Sequence, residues 1–84
     1  MQRMGNEQIQ FNVGPDSYTL DIEFGSGEVV IHTSGGDITA TWEEGEGFHG
    51  IRGLSQLDDD FEGDAQKIVK SAEMAVNIRA QGRL

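Results

Sequence analysis

The feature that most constrains this chain is an alternation of apolar and polar residues that appears four times before Glu44. Ile9, Phe11 and Val13 alternate with Gln8, Gln10 and Asn12, and Tyr18, Leu20 and Ile22 with Thr19, Asp21 and Glu23. Val29, Ile31 and Thr33 then alternate with Val30 and His32, and Ile38, Ala40 and Trp42 with Thr39, Thr41 and Glu43. Successive side chains of a strand point to opposite faces, so each run reads as a strand with one dry and one wet face. The predicted strands are 8–13, 17–24, 28–34 and 37–43.

Turn-forming residues separate the runs: Gly14-Pro15-Asp16-Ser17, Gly25-Ser26-Gly27 and Gly35-Gly36. A loop over 14–17 sets Phe11 opposite Leu20 and Ile9 opposite Ile22. A four-residue loop ending at Gly27 sets Leu20 opposite Ile31. A two-residue Gly35-Gly36 loop sets Ile31 opposite Ala40 and Val29 opposite Trp42. All three registers put the same residues inside, which supports an antiparallel meander because a one-residue slip would invert a strand.

A four-stranded sheet with one apolar face needs a cover. Leu54, Leu57, Phe61, Ala65, Ile68, Val69, Ala72, Ala75 and Val76 recur at three- and four-residue steps, the stripe of an amphipathic helix. The spacing predicts a helix over 56–81 that Gly63 can kink. Ser55 to Asp58 is read as its capping box, Gly82 as its terminator, and 44–54 as a loop. The expected fold is α+β, ββββα in two layers, and 84 residues suit a single domain with a simple core.

Charge is distributed unevenly along this chain. Of the net −9, fourteen acids lie between Glu7 and Asp64 against Arg52 alone, while Lys67, Lys70, Arg79 and Arg83 face only Glu73 after it. Such a field repels phosphates and anionic membranes and complements basic proteins, including grooves that normally hold nucleic acid. With no cysteine, no apolar leader in MQRMGNEQIQ and no apolar run of membrane length, the expected location is cytoplasmic, the host cytoplasm if the chain is phage-encoded.

The densest acidic stretch, Leu57 to Val69, offers half of a calcium loop. Asp58, Asp60, Glu62 and Gly63 fit its first positions, but Val69 stands where the closing bidentate Glu belongs. Acids there suit a helix N-terminus, and Asp59 and Asp60 exceed that need. Gly45-Glu46-Gly47-Phe48-His49-Gly50 is a literal GxGxxG, yet no βαβ unit follows and Glu43, Glu44 and Glu46 would repel phosphate, so it reads as a flexible connection. His32 and His49 have no companion cysteine and no metal-ligand spacing. Catalytic, cofactor and metal residues are therefore not assigned.

The residues expected to meet a partner are Asp21, Glu23 and Glu43 on the wet sheet face, Glu44, Glu46 and Phe48 in the loop, and Asp58, Asp59, Asp60, Glu62 and Asp64 before the helix. Composition, and no motif, likens the chain to acidic inhibitors of phages and mobile elements, anti-CRISPR and anti-restriction proteins among them. The expectation is a non-enzymatic inhibitor that presents carboxylates to a basic, nucleic-acid-binding surface of another protein, without contacting nucleic acid or membrane itself. One alternative is an assembly subunit that self-associates, as a homodimer for example, through Met74 and Ile78 or an edge strand. A second is a weak divalent-cation module using Asp58, Asp60 and Glu62.

Overall fold

The four alternating runs form strands in a computed structural model that describes residues 6–82, and a fifth strand joins them. The strands are β1 (Asn6–Val13), β2 (Asp16–Glu23), β3 (Glu28–Thr33), β4 (Gly36–Glu43) and β5 (Gly47–Arg52). They pair as an antiparallel meander in chain order, with β1 and β5 at the edges. A 3-10 turn (Leu54–Gln56) follows, and after an irregular segment the helix α1 (Ala65–Gly82) covers one face of the sheet. This is the expected two-layer α+β arrangement with five strands in place of four.

The loop expected over 44–54 is thus mostly strand. Its hydrophobic alternation is hidden by a bulge: Thr41 pairs with His49 but Thr39 pairs with Arg52, so β5 has one more residue here than β4. Gly50, at φ +63°, lies within the bulge and accepts a conformation that side-chain-bearing residues avoid. The GxGxxG sequence is accordingly a tight turn running into a paired strand, and the reading of it as a flexible connection is corrected.

Two hairpin registers differ from expectation by two residues. Phe11 lies opposite Tyr18 and Ile9 opposite Leu20, because the first loop is Gly14-Pro15 alone. Ile31 lies opposite Ile38 and Val29 opposite Ala40, because the third loop is Ser34-Gly35, braced by the Thr33 hydroxyl, which donates to Gly36 O at 2.6 Å. The second hairpin matches, with Leu20 opposite Ile31. A shift of two keeps every residue on its face, so the predicted inner face of the four strands is the observed one, whereas Leu54, expected on the apolar stripe, is exposed.

That core comprises Ile9, Phe11, Leu20, Ile22, Val29, Ile31, Ile38 and Ala40 from the sheet and Ile68, Ala72 and Val76 from α1. Burying each large aliphatic side chain contributes about 1.5–3 kcal/mol. The helix backbone comes closest to the edge strand β1. Among the described residues no helix is long and apolar enough to cross a membrane.

The helix starts at Ala65, nine residues later than the spacing implied. Leu57 and Phe61 do pack against the core, but from a strap that crosses the end of the sheet at the β3–β4 turn. Asp58 N donates to Gly35 O at 2.9 Å, Phe61 N donates to Asp58 O at 3.0 Å, and the Phe61 ring lies against Gly35 and Gly63. The Ser55–Asp58 capping box is not used. Asp64 is the N-cap instead: its Oδ1 accepts from Gln66 N at 3.1 Å and Lys67 N at 3.2 Å, satisfying donors that the first helical turn leaves unpaired. Asp64→Ala is therefore expected to lower stability by about 0.5–2 kcal/mol, and Ser55→Ala to stay within about 0.5 kcal/mol. Urea unfolding of the two variants measures both, and a larger loss from Ser55→Ala would contradict this helix start.

Candidate functional site

Core residues alternate with a second set on the uncovered face of the sheet, which the pairing registers bring side by side. Gln8 and Gln10 of β1, Thr19, Asp21 and Glu23 of β2, Glu28, Val30 and His32 of β3, Asp37, Thr39, Thr41 and Glu43 of β4, and His49 and Arg52 of β5 share it. His49 and Arg52, three apart in sequence, would point to opposite faces of a regular strand. The Gly50 bulge puts both on this one.

At its centre His32 bridges two carboxylates across three strands. Its Nε2 lies 2.8 Å from Asp21 Oδ2 and its Nδ1 3.2 Å from Asp37 Oδ1. Gln8 Nε2 donates to Asp21 Oδ1 at 3.5 Å, extending the row to β1. The hydrogen bond with Asp21 raises the His32 pKa above its ordinary 6.5; partial burial opposes the rise, and the hydrogen bond and charge of Asp37 add to it. His49 Nε2 lies 3.2 Å from Glu43 Oε1 in a second, separate pair. All of these side chains are 43–63% exposed, so water screens each pair and its contribution to stability is small.

The expected partner-binding residues divide into three places. Asp21, Glu23 and Glu43 lie on the open face. Glu44 and Glu46 are exposed in the β4–β5 turn at one end of the sheet. Asp58, Asp59, Asp60 and Glu62 are exposed in the strap at the other end. The face thus joins two acidic ends along a molecule whose longest extent is 38 Å. Two expected residues serve the fold: Asp64 caps α1, and Phe48 is half-buried against the core beside Trp42, its strand partner. Among the described residues no group of three or more His, Asp or Glu side chains is arranged to hold a metal ion, and Asp58, Asp60 and Glu62 are not brought together in one.

Asp37 was missed as a member of the open face. The signal that could have found it is turn length: with Ser34-Gly35 as the loop, Asp37 falls directly opposite His32. Met74 and Ile78 are 59% and 67% exposed, one turn apart on the outer side of α1. Comparison with protein-family models, with curated proteins and with solved structures gives no match for this chain.

The raised His32 pKa gives a pH dependence of defined sign. The folded state holds the proton more tightly than the unfolded chain, so this stabilisation is fully present below pH 6.5 and is lost as pH rises through the raised folded-state value. The stability difference between the parent protein and His32→Gln is expected to shrink as pH rises across that window. Thermal melts of the two proteins in parallel measure it, and a difference that grows with pH would contradict the bridge.

Proposed function

We propose that this chain is a small non-enzymatic inhibitor that binds another protein at a basic, nucleic-acid-binding surface, presenting carboxylates in place of phosphates. The observation that carries this reading is the lack of internal neutralisation. Among the described residues, Glu44, Glu46, Asp58, Asp59, Asp60 and Glu62 form no ion pair with any lysine or arginine. The acids of the open face that are paired, Asp21, Asp37 and Glu43, are paired only with histidine. Carboxylates held on a sheet and its two ends, with no ion pair to a lysine or arginine among the described residues, are available to the lysines and arginines of a partner. Their summed field speeds encounter with a basic groove and disfavours nucleic acid. A role against host defence systems, as in anti-CRISPR proteins, is one setting for such an inhibitor and rests on composition alone. The cytoplasm is the setting in which it would meet nucleic-acid-handling proteins.

A second reading, self-assembly, is favoured by the exposed Met74 and Ile78 pair. Two side chains fall well short of the roughly 800 Å² per partner that a standard stable interface covers. This contact therefore ranks second.

The strap offers a clean test because Asp58 engages the fold through its backbone groups, which side-chain exchange leaves in place. Asp58→Lys, Asp59→Lys and Asp60→Lys together add six charges, bringing the net from −9 to −3. Parent and triple variant are used as paired baits in lysate of the native host, with low-salt and high-salt washes and with added DNA or RNA as competitor. The expected result is a nucleic-acid-handling protein on the parent bait, released by salt and by competitor, and depleted at least about tenfold on the variant, whose melting temperature stays close to the parent's. Equal recovery on both baits would overturn the reading.

A further inference from the structure

At the end of the sheet that carries Glu44 and Glu46, the β2–β3 turn, the β4–β5 turn and the C-terminal half of α1 enclose a groove of about 590 Å³. Two aromatic rings form its apolar wall. Phe24 and Trp42 meet edge to face, with centroids 5.5 Å apart and planes at 88°. The indole is fixed by Nε1 donating to Asn77 Oδ1 of α1 at 2.8 Å, and the Trp42 backbone by its N donating to Gly27 O at 2.6 Å.

Around this wall stand three carboxylates, those of Glu44, Glu46 and Glu73. Glu73 Oε2 accepts from Phe48 N at 2.7 Å, so this carboxylate is anchored and its Oε1 has no hydrogen-bond partner among the described residues. Gly47 makes the anchoring achievable: a Cβ there would lie 2.9 Å from the Glu73 carboxylate carbon. Among the described residues no lysine or arginine lines the groove. The described residues thus give a concave site with an aromatic wall and three carboxylates and, among themselves, no lysine or arginine.

Among protein side chains, arginine matches that combination best. Its guanidinium is planar, weakly hydrated and permanently charged; it stacks on aromatic faces and donates in parallel to carboxylates. A lysine ammonium satisfies the charge but not the flat apolar wall. We propose that this groove receives an arginine side chain of a partner protein, held against Trp42 and Phe24 and charge-paired with Glu44, Glu46 and Glu73. The proposal rests on the partner-binding reading of the acidic surface and deepens it by naming one site and one side chain.

Trp42 is the only tryptophan, so its fluorescence reports on the groove directly. The probe is an acetylated, amidated Gly-Ser-Arg-Ser-Gly peptide at low ionic strength, compared with the same peptide carrying citrulline, which keeps the shape of arginine without its charge. The expected result is a saturable Trp42 response to the arginine peptide, at least about tenfold weaker with citrulline. Glu44→Gln with Glu46→Gln should weaken it about three- to tenfold with the melting temperature unchanged, since both residues are exposed turn positions. Equal responses to the two peptides, no saturable response, or an unchanged response in the double variant would each overturn the groove assignment. So would a Trp42 spectrum altered by Arg83→Gln without peptide, which would put the chain's own C-terminus in the groove. If the peptide response is absent while salt-sensitive capture through Asp58, Asp59 and Asp60 persists, the groove alone is overturned; if both are absent, the acidic-surface reading goes with it.

Discussion

One apolar sheet face covered by one helix is the constraint on which the rest of this structure depends. Five strands at about 4.8 Å spacing span about 20 Å, roughly twice the diameter of an α-helix. A flat sheet would leave its edges wet. The α1 backbone comes closest to the edge strand β1. Bulky core side chains sit on the central strands, as Leu20, Ile22, Val29, Ile31 and Ile38, and on β1, as Ile9 and Phe11, while the helix contributes the small Ala72 between Ile68 and Val76. The strap then closes the end that the helix does not reach, laying Leu57 and Phe61 against the same core. In so thin a core there is no place for a carboxylate, whose burial without a partner costs several kcal/mol. Among the described residues no polar or charged side chain is buried. Apart from Glu7 at the edge of the covered face, paired with Arg79, and Glu73 on α1, the acids lie on the open face, the turns and the strap because the core excludes them.

The same constraint explains what was legible in the sequence. Alternation identified the inner face of β1 to β4, and the agreement of three registers was sound evidence for a meander. That agreement could not detect the error of two residues in the first and third hairpins, since a shift of two leaves all faces unchanged. The face assignments were therefore right while Asp37 went unplaced opposite His32. β5 was hidden for a different reason. Its bulge sets Phe48 and Ile51, three residues apart, toward the helix side, where both border one shallow depression with Val69. Three-residue spacing reads as helix or loop, and the glycines around it favoured loop.

The helix boundary was misread because Leu54, Leu57 and Phe61 imitate helical spacing. Their periodicity is real but comes from a 3-10 turn and a strap that touches the core at successive points. What distinguishes the two is capping. Asp64 stands directly before an uninterrupted good helix-forming run, whereas a helix from 56 would have carried Gly63 in its interior, at a cost of about 1 kcal/mol relative to alanine. The groove beside Trp42 was not legible at all, since it joins two turns and a helix. Its aromatic wall reads in sequence only as one core position and one turn residue.

Charge and fold meet in the separation of the two layers. The sheet, its turns and the strap carry the acids, while Lys67, Lys70 and Arg79 lie exposed on α1. Two layers of opposite sign give the molecule a dipole, and a dipole orients as well as attracts: near a basic surface the sheet side turns inward and the helix side turns away. For the proposed inhibitor, this presents the acids of the face and its two ends together and keeps Met74 and Ile78 out of the contact. The sheet backbone limits how far those acids can move, so less ordering entropy is lost on binding than from a disordered acidic tail. The arrangement also separates stability from charge. Most of the acids make few contacts with the fold, Asp64, Glu73 and Glu7 being exceptions, and the substitutions that alter the field are therefore largely distinct from those that would unfold the protein.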